Sequence, residues 1–117
     1  MGIRDRVRKW AASTDELDQS RLQDRFCNLG ITPIADAEAR RPTRLCGEVL
    51  ALQVVPRAGS PWLEVTVGDG SSRAVAVFTG RTRIPGLDPG RGVVLEGVAG
   101  VEDGQLQLLN PSYTLLP

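Results

Sequence analysis

The sequence predicts an all-β barrel of five short strands with an N-terminal helix. Three observations predict it. The hydrophobic repeat changes from about 3.6 residues to 2 near Pro42. Beyond that proline, alternating apolar segments are separated by turns rich in Gly, Pro and Asp. Five strands in so short a chain leave two open edges unless the sheet rolls up and pairs them. The expected division is 1–42, a helical extension and connector, and 43–117, the barrel.

The chain has 117 residues, of which 41% are hydrophobic and 24% charged, a globular composition for one domain. No apolar run approaches the ~20 residues of a membrane span. The start, Met1 to Arg6, is basic but lacks the apolar stretch of a secretory signal, so a cytoplasmic, soluble protein is expected. Cys27 and Cys46 are then expected to stay reduced, as small buried hydrophobes. There is no histidine, which removes the commonest general base and metal ligand. The 14 basic and 14 acidic residues cancel, so affinity for nucleic acid would need local clustering. Every cation except Lys9 is arginine, a side chain suited to forked phosphate contacts and to stacking on bases.

Ser13 and Glu16 form a capping box, which predicts a helix start. Leu17, Leu22, Phe26 and Leu29 follow near helical spacing as a contact face for one end of the barrel, and Gly30 is placed to terminate the helix. Upstream, Ile3, Val7 and Trp10 repeat at i, i+4, i+7, as a short amphipathic helix or a terminus that orders on a partner. The stretch 31–42 reads as a connector.

The first strand is expected over Leu45 to Val55, with Gly47 marking a bulge or sharp coil. Trp62 to Val67 alternates, with Leu63, Val65 and Val67 on one face and Trp62, Glu64 and Thr66 on the other. Gly68, Asp69 and Gly70 supply a turn into Arg73 to Thr79, where Val75 and Val77 are assigned to the core and Ala74, Ala76 and Phe78 to the outside. After a Pro- and Gly-rich connector from Gly80 to Gly92, Val93 to Val101 and Leu106 to Leu116 form a second hairpin around Asp103 and Gly104.

Gly47-Glu48-Val49, the run from Leu63 to Gly70, Ala76-Val77-Phe78, Leu87-Asp88-Pro89-Gly90 and Leu95-Glu96-Gly97-Val98 resemble, in that order, the OB-fold nucleic-acid-binding domains. The likeness covers about the last two thirds of the chain and is greatest to the anticodon-binding and helicase-wedge branch. It implies a five-stranded Greek-key OB-fold. Helicase motor, synthetase catalytic domain and phosphate-cradling glycine loop are all missing from the sequence, so the likeness implies a binding module.

OB domains take ligands across strands two and three, between the loops joining strands one to two and four to five. That selects Trp62 and Phe78 as stacking platforms for unpaired bases. Arg57, Arg73, Arg81, Arg83 and Arg91 are the candidate phosphate contacts, in a stretch with few acids. Glu102 and Asp103 would repel phosphate, which favours entry from the side of Arg81 and Arg83. Acids are dispersed and no Ser or Cys has a base partner, so no enzyme, metal or cofactor is expected. The reading is a binder of single-stranded DNA or RNA with little sequence preference. The alternative is a protein-interaction or oligomerisation module, with the N-terminal helix as a docking element.

Overall fold

A computed structural model describes residues 17, 19–26 and 31–117. Six strands follow a helix, α1 (described at 17 and 19–26), and a single 3-10 turn at Ile34–Asp36. They are β1 (Pro42–Arg57), β2 (Ser60–Gly68), β3 (Arg73–Thr79), β4 (Gly92–Glu102), β5 (Gln105–Leu109) and β6 (Ser112–Leu115). The expected capping box at Ser13 and Glu16, the Ile3, Val7, Trp10 repeat, Cys27, Leu29 and Gly30 lie outside the described residues.

The strands close in the order β1-β2-β3-β5-β4, and β4 returns to β1. All pairings are antiparallel except β3 with β5, which run parallel from Ala74 opposite Leu106 to Val77 opposite Leu109. This is the Greek-key barrel of an OB-fold. Strand β1 is shared around the ring: its first half pairs with β4 and its second with β2. The switch needs a close approach at Gly47, where a Cβ would stand 2.9 Å from the carbonyl oxygen of Gly68. The register slip falls slightly later, between Val49 and Ala51.

The expected fifth strand is two strands. Asn110 adopts a left-handed φ of 47° and Pro111 has no N–H to give to a ladder, so the chain kinks between β5 and β6. The kink is tied down by Asn110, which donates its backbone N–H to Val77 and accepts from the backbone of Thr79 at 3.0 Å.

Inside the barrel lie Leu45, Val49, Leu63, Val65, Val67, Val93, Leu95 and Leu108, with Ile84 and Leu87 from the β3–β4 loop. Ile34, expected in a mere connector, belongs to the same core. The facing of β3 is the reverse of the expectation. Leu63, Val65 and Val67 sit opposite Phe78, Ala76 and Ala74, and all six point inward. Val75 and Val77 point outward, although both are buried. Small inward residues allow opposite walls of so narrow a barrel to approach, while bulkier valines fit the convex side.

The helix does not close an end of the barrel. Leu22 and Phe26 pack on its flank against Cys46 and Val94, outward residues of β1 and β4. Leu17, expected in the same contact face, is 71% exposed. Gly70 makes this seat possible: with φ of +90° and no side chain, it lets the backbone of Gln19 and Gln23 lie directly on the β2–β3 turn.

Candidate nucleic-acid interface

Trp62 stands near the start of β2, opposite Val55 of β1 and Thr79 of β3, and faces outward as the alternation requires. The guanidinium of Arg57 lies over its ring, 4.9 Å from the centroid. Arg57 comes from the end of β1, where Ala58 and Gly59 turn the chain with positive φ and bring the last β1 residue back over β2. Glu64, two residues along the same face, approaches Arg57 at 3.8 Å. Glu64, which the sequence places on the same face but not among the candidate site residues, is thus a neighbour of the Arg57–Trp62 pair. Its signal was its shared parity with Trp62.

Phe78 is not a platform on this surface. It is 5% exposed, inside the barrel, and meets the ring of Tyr113 edge-on at 5.9 Å. The register that sets it opposite Leu63 decides this.

The five candidate arginines do not form one patch. Arg81 joins Arg57 and Trp62 at one end of the sheet, because Gly80 donates its N–H to the carbonyl of Pro61 at 2.7 Å. Arg83 lies beyond them, beside Leu52, Val54 and Ile84, along a shallow hollow under the projecting end of β1. Arg73 occupies the opposite end of the β2–β3 face, across from Gly68. Arg91 is on the seam of β1 and β4, where its carbonyl accepts from Val49. Among the described residues Arg73, Arg81, Arg83 and Arg91 make no ion pair, whereas Arg21, Arg25, Arg41, Arg44 and Arg57 each meet a carboxylate. The acidic turn at Glu102 and Asp103 is beside the Arg73 end, since β5 runs parallel to β3 and starts there.

Two buried acids set the frame. Asp69 accepts from the backbone N–H of Ile34 at 2.9 Å, from the N–H and hydroxyl of Ser71 at 2.9 and 2.6 Å, and from the N–H of Ser72 at 3.3 Å. Glu48 accepts from Arg21 and Arg25 of α1. The Arg21 hydrogen bond holds its carboxyl below the ordinary value, against the opposing cost of burial. Cys46, a free thiol under the helix, is pushed up to about 11 by burial and by the carboxylate of Asp69, with Arg25 acting the other way. Among the described residues no group of His, Cys, Asp and Glu could hold a metal ion, and no helix is long and apolar enough to cross a membrane.

No family model matches the chain. No curated protein matches its sequence. A solved structure does share its fold. A chain of the Stn1–Ten1 complex of S. pombe superposes with a TM-score of 0.51 at 20% identity. The match covers 65% of this chain and 58% of that one, so this chain spans less than two thirds of the relative it resembles. At that identity the likeness shows the OB-fold and leaves the branch within it open.

Proposed function

We propose that this OB-fold module binds single-stranded nucleic acid across the outward face of β2 and β3, with little sequence preference and no catalytic role. One observation carries the reading: Trp62 and Arg57 form a stacked cation and ring on the outward side of the sheet. Such a pair offers unpaired bases a flat, positively charged surface, and every base has a π-face to lay on it. Arg81 at the same end and Arg73 at the other meet no carboxylate among the described residues and are suited to the phosphate backbone.

Fluorescence of a Trp10→Phe variant, in which Trp62 is the sole indole, tests the proposal. Titration with single-stranded DNA and RNA oligonucleotides at two salt concentrations is expected to quench it, more weakly at the higher salt. Absence of quenching at micromolar protein overturns the reading.

A second reading, a protein-interaction module, is favoured by one set of observations. Val98, Val101 and Leu109 are each about 60% exposed on β4 and β5, and the structural neighbour is itself one part of a protein complex. Light scattering showing a stable oligomer that Val101→Lys or Leu109→Lys dissociates would support it over the first.

A further inference from the structure

The outward face of β2 and β3 does not stop at the sheet. It runs along β2 from Trp62 past Glu64 and Thr66, beside the buried Val75 and Val77 of β3, to Gly68 and Arg73, and there it opens into a cleft of about 290 Å³ between the sheet and α1. Gln19 and Arg21 form the helix side of the cleft, Leu50 and Gly68 its floor, and Ser72 and Arg73 its far wall. We infer that this cleft is an anion site, with Arg73 as its principal ligand, that holds one phosphate of a nucleic-acid strand whose bases stack at Trp62. The second half of that statement rests on the function proposed above; the first does not.

Four features carry the inference. Arg73 is exposed, is among the arginines without an ion pair and shares the outward parity of Thr79, the neighbour of Trp62. The cleft's other arginine, Arg21, is held in place by its fork-to-fork contact with Glu48 at 3.1 and 3.0 Å, which orders the opposite wall but compensates that charge and leaves Arg73 as the cation open to an anion. The floor at Gly68 has no side chain of its own because Leu50 lies against it, where a Cβ would strike the Leu50 side chain at 2.8 Å, so the floor is apolar and brings no carboxylate to repel an anion. Glu102 and Asp103 border Arg73 from the β5 side, away from α1, which turns an anion toward the helix.

The separation also predicts a length. Arg73 lies six residues from Thr79 along β3, or about 20 Å at ~3.3 Å per residue. At a stacked spacing of ~3.4 Å per nucleotide that is about six nucleotides. This falls within the 4 to 16 that single OB-folds cover.

The test uses the full chain in two arms. In the first, inorganic phosphate is titrated into the 15N-labelled protein. The amides of residues 68–73 are expected to shift, Arg73→Gln should abolish the shifts and Arg73→Lys should retain part of them. No shift in this segment overturns the anion site, whatever the oligonucleotides do. In the second, a three-nucleotide and an eight-nucleotide strand are compared. Arg73→Gln is expected to weaken the eight-mer at least threefold and to lower its salt slope by about 0.7, the release of one phosphate's counterion, while leaving the three-mer unchanged. Equal effects on both lengths, or none, with Trp62 quenching intact, overturn the strand path but leave the function standing. Loss of quenching by every strand instead overturns the proposed function, and the phosphate shifts then judge the cleft alone. A thermal melt confirms that Arg73→Gln is folded.

Discussion

Arg21 grips both carboxylate oxygens of Glu48, at 3.1 and 3.0 Å, across 27 residues of chain, and so latches α1 to the flank of the barrel. Arg25 adds a contact to the same carboxylate and reaches the carbonyl of Gly90 at 3.1 Å. One acid on β1 thus fixes two turns of helix, over an apolar seat that is no larger than Leu22, Phe26, Cys46 and Val94 with a few neighbours.

The latch makes stability depend on pH. The Glu48 carboxyl is held below its ordinary 4.5, so its contribution is fully present above that value and is lost as pH falls through the lower folded value. Glu48→Gln is expected to cost about 1 to 2 kcal/mol, at the modest end because the Arg21 side chain is 55% exposed. Melts at pH 7 and pH 3 check this: the variant should be less stable than the parent at pH 7, with the gap narrowing at pH 3. Hydrogen exchange of residues 19–26 should accelerate in the variant.

Asp69 performs the corresponding task at the β2–β3 turn, and its removal should cost more. Asp69→Ala leaves the N–H groups of Ile34, Ser71 and Ser72 without their acceptor, and Ile34 is in the core. A loss of about 3 kcal/mol is expected, with Asp69→Asn retaining part of the stability. Urea denaturation should show a lower midpoint at unchanged slope.

These two acids also show what a sequence discloses. The Asp69-Gly70 turn was legible, because the residue types that make such turns are few and each has a local reason. The first four strands were legible for the same cause, whereas the break at Asn110 and Pro111 that splits the fifth was not, because the left-handed φ of Asn110 has no mark in the alternation. The facing of β3 was not. Ala74 to Phe78 is apolar throughout, so alternation alone reads equally well in either parity. Only the pairing of Phe78 with Leu63 resolves it, and that is a property of two strands. The seat of α1 was hidden likewise, since Cys46 and Val94 are buried from outside by the helix while Leu45 and Val93 are buried from within. The arginines looked like one cluster because they are near in sequence. The barrel sends Arg57 and Arg73 to opposite ends of one face.

Placing Phe78 inside the barrel separates stability from binding. Phe78→Ala removes a buried ring packed edge-on to Tyr113 and should cost about 3 to 5 kcal/mol. Phe78→Leu keeps most of the volume and should fold. Measured on folded protein, Phe78→Leu is expected to bind oligonucleotides within twofold of the parent. A tenfold loss without a change in fold would return Phe78 to the interface.

The outward face makes the opposite prediction for its two polar neighbours. Trp62→Ala should weaken single-strand binding by about 1 to 3 kcal/mol, the worth of one base stacked on an aromatic ring, and leave the melting temperature nearly unchanged. Glu64→Gln should strengthen it. The Glu64 carboxylate draws on Arg57 at 3.8 Å in a half-solvated pair of little stabilising value, and it sets a negative charge beside the very ring that bases would occupy. Its neutralisation removes repulsion of phosphate and leaves Arg57 stacked on Trp62. A few-fold gain in affinity is expected, larger at low salt, with no loss of thermal stability beyond about 1 kcal/mol. If both substitutions left oligonucleotide affinity untouched, the strand would have to cross some other face, because no ligand can lie over Trp62 without sensing the charge two residues away.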